Sequence, residues 1–567
     1  MESVTFGVLF FILPFIFYPN TSEIFELNKI VVLYLFTIFI SATHLLHSAK
    51  LVQNKSKLYP VLLLFLLIQS VSTLFSVDLQ TSIFGYYGRF NGGLFSIFAY
   101  SILFFVYANS QNKDDVRKHL KIISTSAVII SAIAIFEHFD LSLTCLVLRR
   151  GLSTSCWSQN LQARAFATFG QPNWLAAFLA AASGVTTPLL IPVLFLGILF
   201  TRSRSGLLGF VIAYTISWLP KFKNKLNMFI ILNLILVSLF VIFNPLRNIT
   251  DQKLLENPEI NITPSSEIRK LVWIGSIKAW GQKPIIGWGP ETFAFAYQAV
   301  RPAKHNLTSE WNFTYNKAHN EYLNYLTTTG LLGLGSYLIF LAIAFYTIYK
   351  SKNHKVLAAF VSILITNFFG FSTVTTNLYL FILVAMGLVS NHDSHIKHNK
   401  LKLNVKNLLI ISVFVFTSYS VINLWRADFY YAKAIRLQNP LHLEKAIKIR
   451  PRQNLYLHEK AYLNALVNKS KLSDIDLLNT QNYKHLEIAF NTCFVLSKNN
   501  SEYLNCALDA INKLIKYSPN YAKYYYLRGL TYLRMNNKLA AKLSFKQALN
   551  LKPDYENAIL LLNSNHN

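Results

Sequence analysis

What most limits this chain is a series of apolar blocks, each near the length of a membrane-crossing helix, recurring from residue 1 to about residue 424. A hydrocarbon core about 30 Å thick takes about 20 residues of apolar helix. In lipid every backbone polar group must be satisfied internally, which favours helices. Spans are read near 4–19, 29–47, 58–75, 93–107, 121–137, 227–243, 322–349, 356–372, 377–390 and 407–424. The stretch 173–219 holds Pro188, Pro192 and the polar run Thr201-Arg202-Ser203-Arg204-Ser205. It is read as three passes near 173–186, 188–200 and 205–219, the first two short and so tilted or broken. The expected fold class is all-α: a polytopic membrane helical bundle of 12–13 spans over residues 1–424, with a large extracytoplasmic loop at 244–321 and a helical domain at 425–567.

Composition agrees. Of 567 residues, 53% are hydrophobic and only 14% charged, against about 25% charged in a soluble domain. Disordered, collagen-like and small disulfide-scaffold classes are excluded on the same figures. The net charge of +28 does not require nucleic acid, because cytoplasmic loops of membrane proteins collect Lys and Arg; no nucleic-acid partner is expected.

Charge placement sets the topology. With the first span starting inside, short inner loops carry Lys50, Lys55, Lys57, Lys113, Arg117, Lys118, Lys221, Lys223, Lys225, Lys350, Lys352, Lys355, Lys397, Lys400, Lys402 and Lys406. Merging 173–200 into one pass would put the later Lys clusters outside, against the positive-inside bias. The outer loops carry Arg89, Arg149, Arg150, Arg164, Arg202 and Arg204, with Lys29 at a helix edge. Arginine on the outer face works against topology and needs another reason. Contact with lipid headgroups is one. An anion site is the other, since guanidinium is a planar, always-charged fork suited to phosphate.

Cys145, Cys156, Cys493 and Cys506 show no CxxC spacing, so neither a zinc nor a redox motif is expected. All four fall on the outer face, where two bridges (Cys145 with Cys156, Cys493 with Cys506) and four free thiols both remain open.

From about residue 425 the pattern turns to soluble helix. A 34-residue period runs through 454–487, 488–521 and 522–555. The last unit carries Tyr525, Gly529, Tyr532, Ala541, Phe545, Ala548 and Pro553, a set that resembles the tetratricopeptide repeat. Such repeats bind polypeptide segments, which implies a protein partner for the tail.

Three outer motifs carry polar chemistry. One is Thr201 to Gly206. The second joins Arg269-Lys270-Leu271-Val272-Trp273 to Lys283-Pro284-Ile285-Ile286-Gly287-Trp288-Gly289-Pro290. The third runs from Ala318-His319-Asn320-Glu321-Tyr322-Leu323-Asn324 into Gly330-Leu331-Leu332-Gly333. With Gly85-Tyr86-Tyr87-Gly88-Arg89-Phe90-Asn91-Gly92-Gly93 and Ala167-Thr168-Phe169-Gly170-Gln171-Pro172-Asn173-Trp174, this ordered set resembles the superfamily of O-antigen ligases, O-antigen polymerases and bacterial O-oligosaccharyltransferases over roughly residues 60–390. The family more often has Asn where this chain has Gln171.

The resemblance implies an inverting glycosyltransferase of the bacterial inner membrane, with its site and tail on the extracytoplasmic side. The implied donor is a glycan on undecaprenyl diphosphate, and the implied acceptor a glycan or protein; neither cofactor nor metal is implied. Arg204 and Arg269 match the arginines that hold the diphosphate, and His319 matches the proposed base. Glu321 stands where it could orient His319 or act in its place. Arg202, Arg89, Arg164 and Arg301 are second-rank ligands. Trp273, Trp280, Trp288 and Trp311 suit either sugar stacking or interfacial anchoring. Ligation and polymerisation of lipid-linked units both remain open. A transporter is disfavoured by the few charges inside spans and the lack of a two-fold hydropathy repeat. A non-catalytic scaffold would not need the outer arginines and His319.

Overall fold

The computed structural model describes residues 2–47, 56–218, 220, 226–243, 263–391, 405–467, 478–480 and 482–564. Lys50, Lys55, Lys221, Lys223, Lys225, Lys397, Lys400 and Lys402 lie outside the described residues, as do residues 244–262 of the long loop. The described residues are helical, without strands.

Each expected span falls on a helix: Glu2–Ile12, Glu26–His47, Leu58–Leu74, Leu94–Ser110, Lys113–His138, Pro172–Ser183, Ile191–Thr201, Arg204–Trp218, Leu226–Ile242, Glu321–Lys350, His354–Phe368, Val374–Asn391 and Val405–Leu437. Five have the length and apolarity to cross a membrane on those grounds alone: Glu26–His47, Lys113–His138, Glu321–Lys350, Val374–Asn391 and Val405–Leu437. The split at 173–219 follows from its chemistry. Pro188 and Pro192 open new helical turns, where a missing N–H costs nothing. Arg202, at φ 52°, separates the helices Ile191–Thr201 and Arg204–Trp218.

The main core lies among the membrane helices, with the 374–391 helix at its centre, all but encased by neighbours. By contrast the 405–437 helix leaves Val405, Leu409, Val415 and Phe416 exposed, as suits a helix facing lipid. It runs unbroken past residue 424, so the boundary drawn there lies within a single 33-residue helix. Asp428, near its far end, accepts from the Ser22 amide (2.8 Å) and hydroxyl (2.6 Å) and from the Tyr87 hydroxyl (2.8 Å).

Residues 263–320 form a cap that contains the helix Ser265–Gln282 and the short helix Phe293–Val300. Two of the sequence motifs meet here. The segment Pro284–Gly289 lies along a break in the 321–350 helix: Leu331 N donates to Pro284 O (2.9 Å), Leu332 N to Ile285 O (3.1 Å) and Gly289 N to Thr328 O (2.7 Å). At the break Gly330 has φ 68° and ψ −166°, a region open essentially to glycine alone. A Cβ there would sit 2.3 Å from the Ile285 carbonyl oxygen. The glycines in these motifs therefore serve close backbone approach.

The tail continues in the helices Pro440–Ile449, Asn454–Leu466, Tyr483–Leu496, Tyr503–Tyr517, Ala522–Arg534, Lys538–Leu551 and Glu556–Ser564. Gly529 lets the last full pair close: a Cβ at that position would meet the Phe545 ring at 2.4 Å. Both disulfides are formed, Cys145 with Cys156 and Cys493 with Cys506.

Candidate active site

His319 occupies a left-handed turn, φ 52°, immediately before the 321–350 helix. Asn320 caps that helix by accepting from Leu323 N (3.0 Å). Trp273 Nε1 donates to the Ala318 carbonyl (3.1 Å), pinning the turn to the 265–282 helix. The imidazole sits between the rings of Tyr315 (5.8 Å) and Phe371 (5.5 Å).

Phe371 also carries the guanidinium of Arg89 at 5.4 Å, and Trp174 supports the same group at 5.0 Å. Arg89 thus lies against two aromatic faces, and its Nη1 is buried without a hydrogen-bond partner. Arg164 donates Nε to Thr201 O (3.2 Å) and Nη2 to Asn173 Oδ1 (3.4 Å). Its charged form is disfavoured by burial and then by the nearby Arg202 and Arg269. Among the described residues no ion pair joins Arg89, Arg164 or Arg269 to a carboxylate. Glu23 and Glu26 feel the field of Arg89 more weakly than the cost of their own burial.

The electrostatics follow from this crowding. Burial, then Arg269, then Arg89 hold the His319 imidazole down at about 3, against an ordinary 6.5. It is therefore neutral at physiological pH, with a lone pair free to accept a proton. Like charges gathered without acidic partners are costly. The arrangement is the one a bound polyanion would relieve.

The loop that carries Arg164 and leads into the helix bearing Asn173 and Trp174 is held by two buried ionisable side chains. Glu137 accepts from Phe166 N (3.2 Å) and Ala167 N (2.8 Å). Lys29 Nζ donates to Thr168 O (2.7 Å) and stands over the Phe169 ring. Lys29 and Glu137 thus serve as supports for this loop.

His319 lies within electrostatic reach of Arg269 and Arg89, and Arg164 within reach of Arg202 and Arg269. Three other candidates do not share these contacts. Arg204 opens the 204–218 helix with its side chain exposed and takes no part in the ring and charge contacts described above. Glu321 is turned into the protein, with Lys317 and Glu291 as charged neighbours and Oε2 unpartnered. Lys317 and Glu291 form an ion pair beside it, in a small cavity also lined by Gln69, Asn324 and Asn377. Arg301 is fully buried, over the ring of Tyr521 in the tail.

Of the tryptophans, Trp273 and Trp288 are tied to backbone carbonyls, the latter at Ala279, and Trp311 packs on Tyr555. Trp280 donates to the Pro284 carbonyl (3.1 Å). Sequence reasoning missed Phe371, Tyr315, Lys317 and Glu291. Phe371 belongs to no motif, and only the fold brings it to the site. Trp174 stood in a quoted motif, and that membership was the signal available; its place beside Arg89 comes from the fold.

No curated protein matches this chain. Residues 189–338 match the family model described as O-Antigen ligase, a narrower stretch than the motifs suggested. It contains Arg202, Arg204, Arg269, Arg301, His319 and Glu321, while Arg89 and Arg164 lie outside it. Over that stretch the chain is similar to the O-antigen ligase family.

Proposed function

We propose that this protein transfers a glycan from a polyprenyl diphosphate carrier, of the undecaprenyl type, to an acceptor hydroxyl at the extracytoplasmic face of the membrane. The observation that carries this reading is a neutral His319 beside Arg269 and Arg89, with Arg269 also near Arg164 and Arg164 near Arg202. The arginines hold the diphosphate, with Arg204 meeting it from the exposed end of its helix. His319 removes the proton from the acceptor oxygen. That oxygen attacks the anomeric carbon, and the bond from that carbon to the phosphate oxygen breaks with inversion. The diphosphate leaves with charge that fixed guanidinium groups stabilise in a partly dry site.

The depressed basicity of His319 fits this sequence of events. Arg269 and Arg89 oppose its protonation. Once a diphosphate neutralises them, the imidazole becomes a stronger base, so donor binding itself readies the proton acceptor. The two disulfides favour an oxidising compartment for this face. The Gly529–Phe545 crossing favours the repeat reading of the tail.

Expression in a host that makes a defined undecaprenyl-linked oligosaccharide tests the reading, with mass spectrometry of lipid, glycan and protein fractions. Transfer that depends on this chain is the expected result, and the labelled fraction identifies the acceptor. An unchanged lipid-linked pool across several donors, with the protein well expressed, would sink it.

A further inference from the structure

Arg301 is the largest side chain with no exposure at all. An isolated buried cation is strongly unfavourable, and two of its nitrogens, Nε and Nη1, lack hydrogen-bond partners. What compensates it comes partly from the tail. Its guanidinium lies 4.5 Å from the Tyr521 ring centre, and its Nη2 donates to the Trp311 carbonyl. The same turn of the tail grips the cap by its backbone. Asn520 Nδ2 donates to Arg301 O (2.9 Å), and Asn306 Nδ2 donates to Asn520 O (2.7 Å). The Tyr521 hydroxyl reaches Asn312 Oδ1.

These contacts fall on the stretch 301–312, which leads directly to His319. At the far end Tyr315 stacks edge-on against Tyr297, His305 and His319. His319 itself keeps a left-handed backbone, which persists only where its surroundings over-determine it. One end of this loop is held by Trp273 of the 265–282 helix and by Asn320 at the start of the 321–350 helix. The other is held by Asn520 and Tyr521.

We infer that the tail is a positioning part of the site: Asn520 and Tyr521, acting through Arg301, fix the loop that presents His319. The inference rests on the transferase reading for its kinetic consequence and on the contacts above for its structural one. The face of the tail around Asn520 is thereby committed to this chain, and any protein partner engages another face.

Full-length Tyr521→Ala and Tyr521→Phe, reconstituted in proteoliposomes with the lipid donor the wild type accepts, test it. Tyr521→Ala should lose about tenfold or more in kcat, as a displaced reacting group does, with little change in KM for the donor. Tyr521→Phe keeps the ring over Arg301 and should recover most of the rate. Wild-type turnover by Tyr521→Ala overturns the inference. A second readout needs no transfer: the rate at which diethyl pyrocarbonate modifies His319, read by peptide mass spectrometry. Tyr521→Ala should raise that rate several-fold and Tyr521→Phe should not. An unchanged rate overturns the inference whatever the reaction proves to be. A wild type inactive with every donor, but with the expected change in modification rate, would fault the transferase reading alone. Should Tyr521→Ala not fold, Asn520→Ala takes its place, with the same results deciding.

Discussion

Arg89 and His319 share one phenyl ring: Phe371 lies 5.4 Å from the guanidinium and 5.5 Å from the imidazole. The two groups come from loops 230 positions apart in the chain (319 − 89). Their proximity ties the proton acceptor to the anion-binding charges, so each should report on the other.

Removing the cation should therefore change the base. Arg89→Ala should raise the pKa of His319, because a positive neighbour no longer opposes its protonation. Donor affinity should fall at the same time. Histidine NMR in detergent checks the first and donor KM the second. A His319 titration unmoved by the substitution would contradict the electrostatic link. Arg89→Lys should keep the charge effect on His319 but not the planar stacking on Trp174, and so should lose donor affinity.

The pH profile should divide by kinetic parameter. A base is active above its pKa, and that of His319 is about 3. The kcat/KM profile, which reports the free enzyme, should show no loss through His319 between pH 8 and pH 5. The kcat profile reports the donor-bound state, where the arginines are neutralised. Its acid inflection should lie at higher pH. Coincident inflections would mean that donor charge does not reach His319.

Three buried histidines should make the fold acid-sensitive. His305, His319 and His485 are each held at about 3 by burial, against an ordinary 6.5. The folded state thus binds fewer protons than the unfolded state between these values, and stability falls as pH drops from 6.5 toward 3. Glu23, raised to about 7 by burial, works the other way between pH 7 and its ordinary 4.5. His305→Asn should consequently lose less melting temperature than the wild type between pH 6.5 and pH 4. Parallel curves would remove His305 from the explanation.

Gly330→Ala should destabilise the protein by about 1–3 kcal/mol, through the glycine-only backbone at the helix break. The Cβ would also strike the Ile285 carbonyl. Gly335→Ala, with open space around it, is the control and should be near neutral. Equal melting temperatures for the two variants would contradict the role given to the break.

Helix positions were legible because apolar blocks near 20 residues have few other solutions. Pro188 and Pro192 even marked the broken region between residues 173 and 219 correctly as more than one helix. The continuity of the 405–437 helix was hidden, since composition changes at residue 424 while the backbone does not. In the candidate site, arginine and histidine could be picked out because those residue types are informative alone. It was not where long-range packing decides. Nothing local to Phe371 marks it as the ring between Arg89 and His319. Likewise the burial of Arg301 depends on Tyr521, 220 residues further on (521 − 301).

The most direct measurement is a single turnover by purified protein in proteoliposomes, with a radiolabelled glycan on polyprenyl diphosphate and its acceptor. Wild type and His319→Ala are compared at equal donor occupancy. The wild type should form glycan-bearing acceptor and free polyprenyl diphosphate in equal amounts. His319→Ala should bind donor yet transfer about 100-fold or more slowly, the scale of a lost general base. Transfer at the wild-type rate by His319→Ala would contradict the assignment of the base.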